Sequence, residues 1–285
     1  MESGIRISSW ATDDPDAGAL RHARGDGFPF RDILVARTYE PLADAAATLV
    51  ARALAARLDD VAVSRTEDEA LERQARHAAL AIVGTPQRRR SARMPGGDPS
   101  LLAQRLRIPV VVVAQRCSTA DLSAVRSIVC GVRDASDASC VAAAGALADA
   151  LDLQLVLVHV WEPTQPTTVG PLPVPPRTFA EATPQDRANA RELLSEVARR
   201  AGRSAPGAAC PRVLEGPPGQ LLCAAGRDHH AAMIALTATR HRPSVSALLG
   251  SAARYVIRHA DRPVLICPRD PDPALDLPSQ TRRLS

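Results

Sequence analysis

Aromatic residues are scarce in this sequence: Phe, Tyr and Trp make up only 2% of its 285 residues. With so few large rings, the hydrophobic core has to be built from aliphatic side chains, and alanine, valine and leucine recur throughout the chain. The six cysteines include no Cys-x-x-Cys pair, and several of them lie inside apolar runs. We interpret them as small buried hydrophobic residues in a reducing cytosol.

Long apolar runs and a strong charge excess are also lacking. No run approaches the roughly 20 residues that a membrane helix needs, so we expect no membrane association. The 35 Lys and Arg residues exceed the 31 Asp and Glu residues by only four, and no face combines basic with aromatic residues, so we expect no nucleic-acid binding. The N-terminus shows no basic and then apolar signal segment, and we expect a cytoplasmic protein.

Short apolar runs alternate with amphipathic stretches, and the second half shows this pattern most clearly. Strands alternating with helices predict a parallel sheet with right-handed crossovers, flanked by helices. The predicted strands of this half are SIVCGV (127–132), LQLVLVHV (153–160), RVLE (212–215), AAMIALT (231–237) and VLIC (264–267).

The first half repeats the pattern more weakly. IRISSW (5–10) is its predicted first strand, and DILVARTYEP (32–41) mirrors LVLVHVWEP (155–163), since both end in Glu-Pro. VAVS, LAIVG and PVVVVAQ follow in the same order as their later counterparts. We therefore predict an α/β protein with two tandem, open, five-stranded parallel sheets. The predicted divisions are a first domain at 1–116, a linker at 117–126, a second domain at 127–268, and a disordered, apolar-poor tail at 269–285.

Gly250 and Ser251 open a predicted helix that leads through Asp261-Arg262-Pro263 into the strand VLIC. Proline cannot continue the helix and therefore ends it. Glycine permits a close approach of the backbone, and the free N–H groups of a helix start can bind an anion. An ordinary serine cap accounts for the same residues.

The C-terminal stretch GSAARYVIRHADRPVLICP, together with GVRDASDAS and LVLVHVWEP, resembles the universal stress protein family. The resemblance covers residues 127–267 well and residues 4–115 loosely. It implies the family's five-stranded fold, which is similar to adenine nucleotide alpha hydrolases. It also implies an ATP site, because many members carry the pattern G-x2-G-x9-G-[ST]. Gly250-Ser251 fills its end, whereas Thr237 and Arg240 replace two of its glycines.

By this resemblance, the second half would bind the nucleotide through residues that follow its strands and open its last helix. Asp134 would meet the base or ribose, Val160 would lie against the adenine, and Ala252 would offer a backbone N–H beside Ser251. Asp134 as a helix cap and Val160 as plain core are the alternatives. Arg240 would either block the phosphates or supply them with a cation. The proline-rich loop at 162–177 is expected to cover this crevice.

The first half carries a weaker version of the pattern, since Gly84 ends a predicted strand and Gly96-Gly97 lies as far before Pro109 as Gly250-Ser251 lies before Pro263, and we expect this half to be structural. The sequence contains no GxSxG, GxxxxGK[ST] or HExxH motif, so no catalytic residue is assigned. No three or four ligands converge in the sequence, so no metal site is expected.

Three functional hypotheses follow. The first is a non-catalytic, nucleotide-related stress protein that acts through partner contacts. The second is a dimerising scaffold that has lost nucleotide binding, and the third is a nucleotide-hydrolysing enzyme. The apolar final strands PVVVV (109–113) and PVLIC (263–267) would be exposed edges if the halves were separate, so we expect them to pair within the chain as a pseudo-dimer. A homodimer and protein partners of unknown identity are further expectations.

Overall fold

The computed structural model describes residues 32–37, 41–58, 61–67, 70–85, 99–114, 117, 124–162, 183–203, 208–238 and 251–269. These residues form an α/β fold in which a single nine-stranded sheet is flanked by helices on both faces. The predicted α/β class is therefore confirmed. Within the described residues, no helix is long and apolar enough to cross a membrane.

Strands and helices alternate along the chain. The strands are β1 (Asp32–Ala36), β2 (Ala62–Thr66), β3 (Leu80–Thr85), β4 (Val110–Ala114), β5 (Ser127–Gly131), β6 (Gln154–Trp161), β7 (Cys210–Glu215), β8 (Ala231–Thr237) and β9 (Val264–Cys267). The helices are α1 (Pro41–Ala55), α2 (Leu71–Ala75), α3 (Pro99–Leu106), α4 (Ala138–Ala150), α5 (Pro184–Arg200), α6 (Pro218–Asp228) and α7 (Ser251–His259).

The sheet has the order β2-β1-β3-β4-β9-β8-β5-β6-β7. All neighbouring strands run parallel except β4 and β9, which pair antiparallel with Val111 opposite Leu265. The expected contact between 109–113 and 263–267 is thus present. It joins the two predicted sheets into one, because each half would otherwise leave a strand of β-branched residues with unpaired backbone groups.

The order of the strands in the first half differs from the order that the predicted repeat implies. β1 pairs directly with β3, with Ile33 opposite Leu80, and it pairs with β2 on its other side. β1 therefore occupies the place that β5 holds in the second half, between β6 and β8. The predicted correspondence of 32–41 with 155–163 is wrong. Residues 5–10 lie outside the described residues, and the central position predicted for them is already filled by β1.

Two aliphatic cores lie on the two faces of the sheet, as the lack of aromatic residues predicts. One core is formed with α1, α4 and α5, and the other with α2, α3, α6 and α7. Both cores continue across β4 and β9, since Val111 and Leu265 belong to the first and Val112 and Ile266 to the second. The two halves therefore share their hydrophobic interior.

Sequence and packing agree well at α7. Its buried residues Ala253 and Val256 lie on one helical face against the sheet, followed by buried Ala260. Pro263 comes directly before β9, whose four residues are all buried, as expected for an inner strand. This arrangement fixes how the described part of α7 lies on the sheet.

Candidate functional site

The strand order changes direction between β5 and β8. From β5 the chain moves to β6 on one side, and from β8 it moves to β9 on the other. Crossovers that diverge in this way leave a crevice outside the carboxyl ends of the two strands, and ligands of open parallel sheets bind there. Asp134 follows β5, and Thr237 ends β8. Two sequence-predicted residues therefore lie at this crevice.

Asp134 caps the turn that follows β5. Its Oδ1 accepts a hydrogen bond from the Ser136 backbone N–H at 2.9 Å, and the Ser136 hydroxyl donates to the same oxygen. Its Oδ2 accepts from Nε of Arg133 at 3.0 Å. The capping role, which was the alternative to a ligand role, is thus observed. It holds the carboxylate at the mouth of the crevice, with 46% of its side chain exposed.

These contacts keep the Asp134 carboxyl ionised. Partial burial raises its pKa, but the hydrogen bonds from Ser136 and Arg133 outweigh this effect and lower the pKa to about 2. A carboxylate with so low a pKa is a weak base at neutral pH. It is suited to accept hydrogen bonds or to pair with cations.

Asp137 closes the same turn from inside the protein. Its side chain is almost fully buried, and its Oδ2 accepts hydrogen bonds from the backbone N–H groups of Arg133 at 2.7 Å and Asp134 at 3.2 Å. Together, Asp134 and Asp137 form a reciprocal capping box. The loop after β5 is therefore held in place by hydrogen bonds within the protein.

Arg269, two residues beyond β9, is a site residue that the sequence reasoning missed. Its Nη2 donates a hydrogen bond to the Ser136 hydroxyl and lies 3.6 Å from Oδ1 of Asp134. Composition placed this residue in the tail, although an arginine directly after a strand end and a proline was a usable signal. With Arg133, it gives the crevice two guanidinium groups around one carboxylate.

Thr237 is buried at the end of β8, below the crevice. Its hydroxyl makes no ordinary hydrogen bond within the described residues, and it interacts weakly with the thiol of Cys140. Ser251 is exposed as the first residue of α7, and Ala252 follows it half-buried. Val160 packs at the edge of the core on the α6 and α7 face.

The contacts thus join Asp134 with Ser136, Arg133 and Arg269. Within the described residues, Ser251 makes no hydrogen bond to this cluster. Arg240, Gly250, the loop at 163–177 and the glycines at 96–97 lie outside the described residues.

Metal binding finds no support in the described part of the chain, where no three His, Cys, Asp or Glu side chains are arranged to hold an ion. The crevice instead offers the guanidinium groups of Arg133 and Arg269 and the hydroxyl of Ser136. Guanidinium groups favour a ligand with negative charge.

Comparisons with known proteins agree with this fold. Residues 124–268 match the sequence profile described as the universal stress protein family. A universal stress protein from Archaeoglobus fulgidus DSM 4304 is similar in structure, with 12% identity, a TM-score of 0.56, and coverage of 85% of this chain and 100% of that one. A universal stress protein from Pseudomonas aeruginosa UCBPP-PA14 shows 18% identity, a TM-score of 0.53, and coverage of 85% and 94%.

A shorter match is the universal stress protein from Archaeoglobus fulgidus in complex with dAMP. It shows 17% identity and a TM-score of 0.37, and it covers 52% of this chain and 99% of that one. No curated protein sequence matches the chain significantly.

Proposed function

The chain belongs to the universal stress protein family, and on that premise we propose that it binds an adenine nucleotide in the crevice between β5 and β8. The observation that carries the proposal is the cluster at the switch point, where Asp134, Ser136 and Arg269 meet outside the ends of parallel strands. A crevice at this place is where open α/β sheets hold nucleotides. Conserved metal or catalytic motifs are not needed for such binding.

The phosphates are the part of the nucleotide that this cluster suits best. Arg269 would exchange its contacts with Ser136 and Asp134 for phosphate oxygens, since a guanidinium binds phosphate through two parallel hydrogen bonds. The first N–H groups of α7 and the hydroxyl of Ser251 would bind the same phosphates, with Gly250 permitting a close approach. Arg240 would add a further cation in place of a family glycine.

The rest of the nucleotide would lie toward β6. Val160 is half-buried on the face of the sheet that carries α6 and α7, and it offers an apolar surface to the adenine. Asp134 retains an exposed carboxylate that can accept a hydrogen bond from the ribose or the base. This assignment follows the family resemblance residue by residue.

We propose a role in binding and not in turnover. The Asp134–Ser136 pair resembles a base beside a nucleophile, but the low pKa of Asp134 makes that carboxylate a poor proton acceptor at neutral pH. A sensitive ADP-release assay tests this part of the proposal. Turnover that depends on Ser136 would contradict it.

Calorimetric titration of ATP, ADP and AMP into the full chain tests the site. Wild type should bind, and Ser251→Ala and Gly250→Val should each weaken binding. Ser195→Ala is the matched control, because Ser195 is exposed on α5 and its hydroxyl donates to the carbonyl of Arg191 within the same helix. Wild-type binding that survives both site changes would show that Gly250 and Ser251 only begin the helix.

A scaffold without nucleotide binding is the second candidate, and one observation favours it. Arg269 and Asp134 already satisfy each other's charge across the crevice, so the cluster is stable without a ligand. Acid extraction of the purified protein, followed by analysis for nucleotides, separates the two. For this candidate, wild type binds none of the three nucleotides, and the Thr237→Gly, Arg240→Gly double variant restores binding by reopening the loop.

For assembly, we propose that the chain acts as a covalently linked pair of domains. The antiparallel pairing of β4 with β9 supports this, because it covers the final strand of each half. Association of two chains and contacts with other proteins would then use other surfaces. Sedimentation of the purified protein over a range of concentrations tests for a homodimer.

A further inference from the structure

Three cysteines from separate parts of the chain converge beneath the crevice. Cys130 lies in β5, Cys140 in the first turn of α4, and Cys267 at the end of β9. The sulfur atoms of Cys130 and Cys140 are 3.8 Å apart, and both side chains are fully buried. None of the three is in a disulfide within the described residues. Such a group is unlike an isolated core cysteine, whose neighbours are ordinary hydrophobic side chains.

The position of Cys140 favours its thiolate form. It stands in the first turn of a helix, where backbone N–H groups stabilise negative charge. A hydrogen bond from Cys130, and then one from Cys267, lower the pKa of Cys140 to about 5, against the opposing effects of burial and Asp137. The pKa of Cys130 is raised, because it donates to Cys140 and is buried. The surroundings therefore favour ionisation at Cys140 and oppose it at Cys130.

We propose that Cys140 and Cys130 form a reversible thiol–disulfide pair that hydroperoxides oxidise, independently of nucleotide binding. Both partners are already in contact, and the two sulfurs need to approach by only about 2 Å to reach bonding distance. The disulfide would link strand β5 covalently to helix α4. Because both thiols are completely buried, the oxidant has to be a small, uncharged molecule. It would enter when the packing of α4 against β5 opens locally.

Two steps account for the atoms and electrons. The thiolate of Cys140 attacks one oxygen of the hydroperoxide, the O–O bond breaks, and hydroxide or an alkoxide leaves and takes up a proton from solvent to give water or an alcohol, which leaves a sulfenic acid on Cys140. The thiol of Cys130 then attacks that sulfur, the S–O bond breaks, and a second water leaves with the thiol proton. Each sulfur loses one electron, and the peroxide gains two. An added dithiol reverses the reaction.

Peptide mapping of the full-length protein after treatment with hydrogen peroxide tests the pair directly. Trypsin cleaves after Arg126 and Arg133, so Cys130 and Cys140 fall in separate peptides that only a disulfide links. Wild type should lose two of its six thiols, and the linked peptides should weigh two hydrogens less than their sum. Treatment with dithiothreitol should restore both thiols.

Variants assign the two roles. Cys130→Ser should lose the cross-link and accumulate a sulfenic acid on Cys140 that dimedone traps, whereas Cys140→Ser should lose both products. Cys223→Ser, a buried change on α6 in the opposite core, is the matched control and should keep the cross-link. A wild-type protein that keeps all six thiols while folded, or that joins Cys140 to Cys267 instead, would overturn the proposal. Because the mapping uses wild type, a variant that fails to fold does not affect the test.

Discussion

The guanidinium of Arg269, beyond β9, donates a hydrogen bond to the hydroxyl of Ser136, beyond β5. Since β8 lies between β9 and β5 in the sheet, this bond crosses the carboxyl end of β8. The arginine therefore lies over the crevice in which we place the nucleotide. Its side chain is only 22% exposed, so its position is restrained.

Arg269→Gln should weaken ATP binding about tenfold or more, because a hydrogen bond to a charged group contributes about 1.5–3 kcal/mol. The loss should be larger for ATP than for AMP, since the arginine is assigned to the phosphates. Calorimetric titration measures both. Arg200→Gln is the control, because Arg200 pairs with Glu196 on the exposed side of α5. Tighter binding by Arg269→Gln would instead show that the arginine blocks the entry of ATP into the crevice.

The charge of Asp134 should stabilise the fold in a pH-dependent way. Its pKa is lowered from 3.8 to about 2 in the folded protein, so its stabilising contribution is complete above pH 4 and is lost as the pH falls toward 2. Asp134→Asn keeps the cap but removes the charge. Urea unfolding should therefore show wild type to be the more stable protein at neutral pH, with a difference that shrinks between pH 4 and 2. A difference that is constant with pH would rule out this role.

Gly84→Ala should strongly destabilise the protein. Gly84 is buried in β3, and an added Cβ would overlap the backbone carbonyl of Ala43 in α1, which cannot move without displacing the helix. We expect a loss of about 3 kcal/mol or more in the free energy of unfolding. Gly145→Ala is the control, because its Cβ would meet only the flexible side chain of Arg203, and alanine favours the helix. Thermal unfolding should place this control within about 1 kcal/mol of wild type.

Val111→Ala should destabilise both halves together. Val111 is fully buried in β4 and lies opposite Leu265 of β9. Removing two methyl groups should cost about 2–3 kcal/mol. In a Trp10→Phe background, the fluorescence of Trp161 reports on the second half, and its urea midpoint should fall. Val63→Ala on the edge strand β2 is the control and should leave the midpoint nearly unchanged. Independent unfolding of the first half, with no shift at Trp161, would contradict the shared core.

Periodicity and β-branched content predicted the second half well, because four of its described strands are largely apolar runs; β7, with Arg212 and Glu215, is the exception. They failed to align the first half. The match between DILVARTYEP and LVLVHVWEP rests on a shared Glu-Pro ending, which is a local feature, whereas the place of β1 beside β3 depends on pairing across the sheet. Local pattern identifies a strand, but not its neighbours.

The contacts between site residues could not be predicted either, because they join residues that are distant in the sequence. Asp134 was identified from its position after a strand, and its cap was among the readings considered. The contact of Arg269 with Ser136 joins residues 133 positions apart, and the meeting of Cys130, Cys140 and Cys267 joins two strands and a helix. No spacing in a single sequence reports such contacts. The cysteines were correctly predicted to be buried hydrophobic residues for the most part, but their convergence could not be predicted.

The antiparallel joint between β4 and β9 gives the two halves opposite polarity. Because every other pair is parallel, the strands of the first half all run against those of the second. Asp134 lies where the strands of the second half end, and at this same side of the sheet β1 to β4 begin. Any ligand of the first half would therefore lie at the opposite ends of the strands, displaced by about 17 Å along strands of five residues and also by several strands across the sheet. Coupling between two such ligands would have to pass through the interior of the sheet.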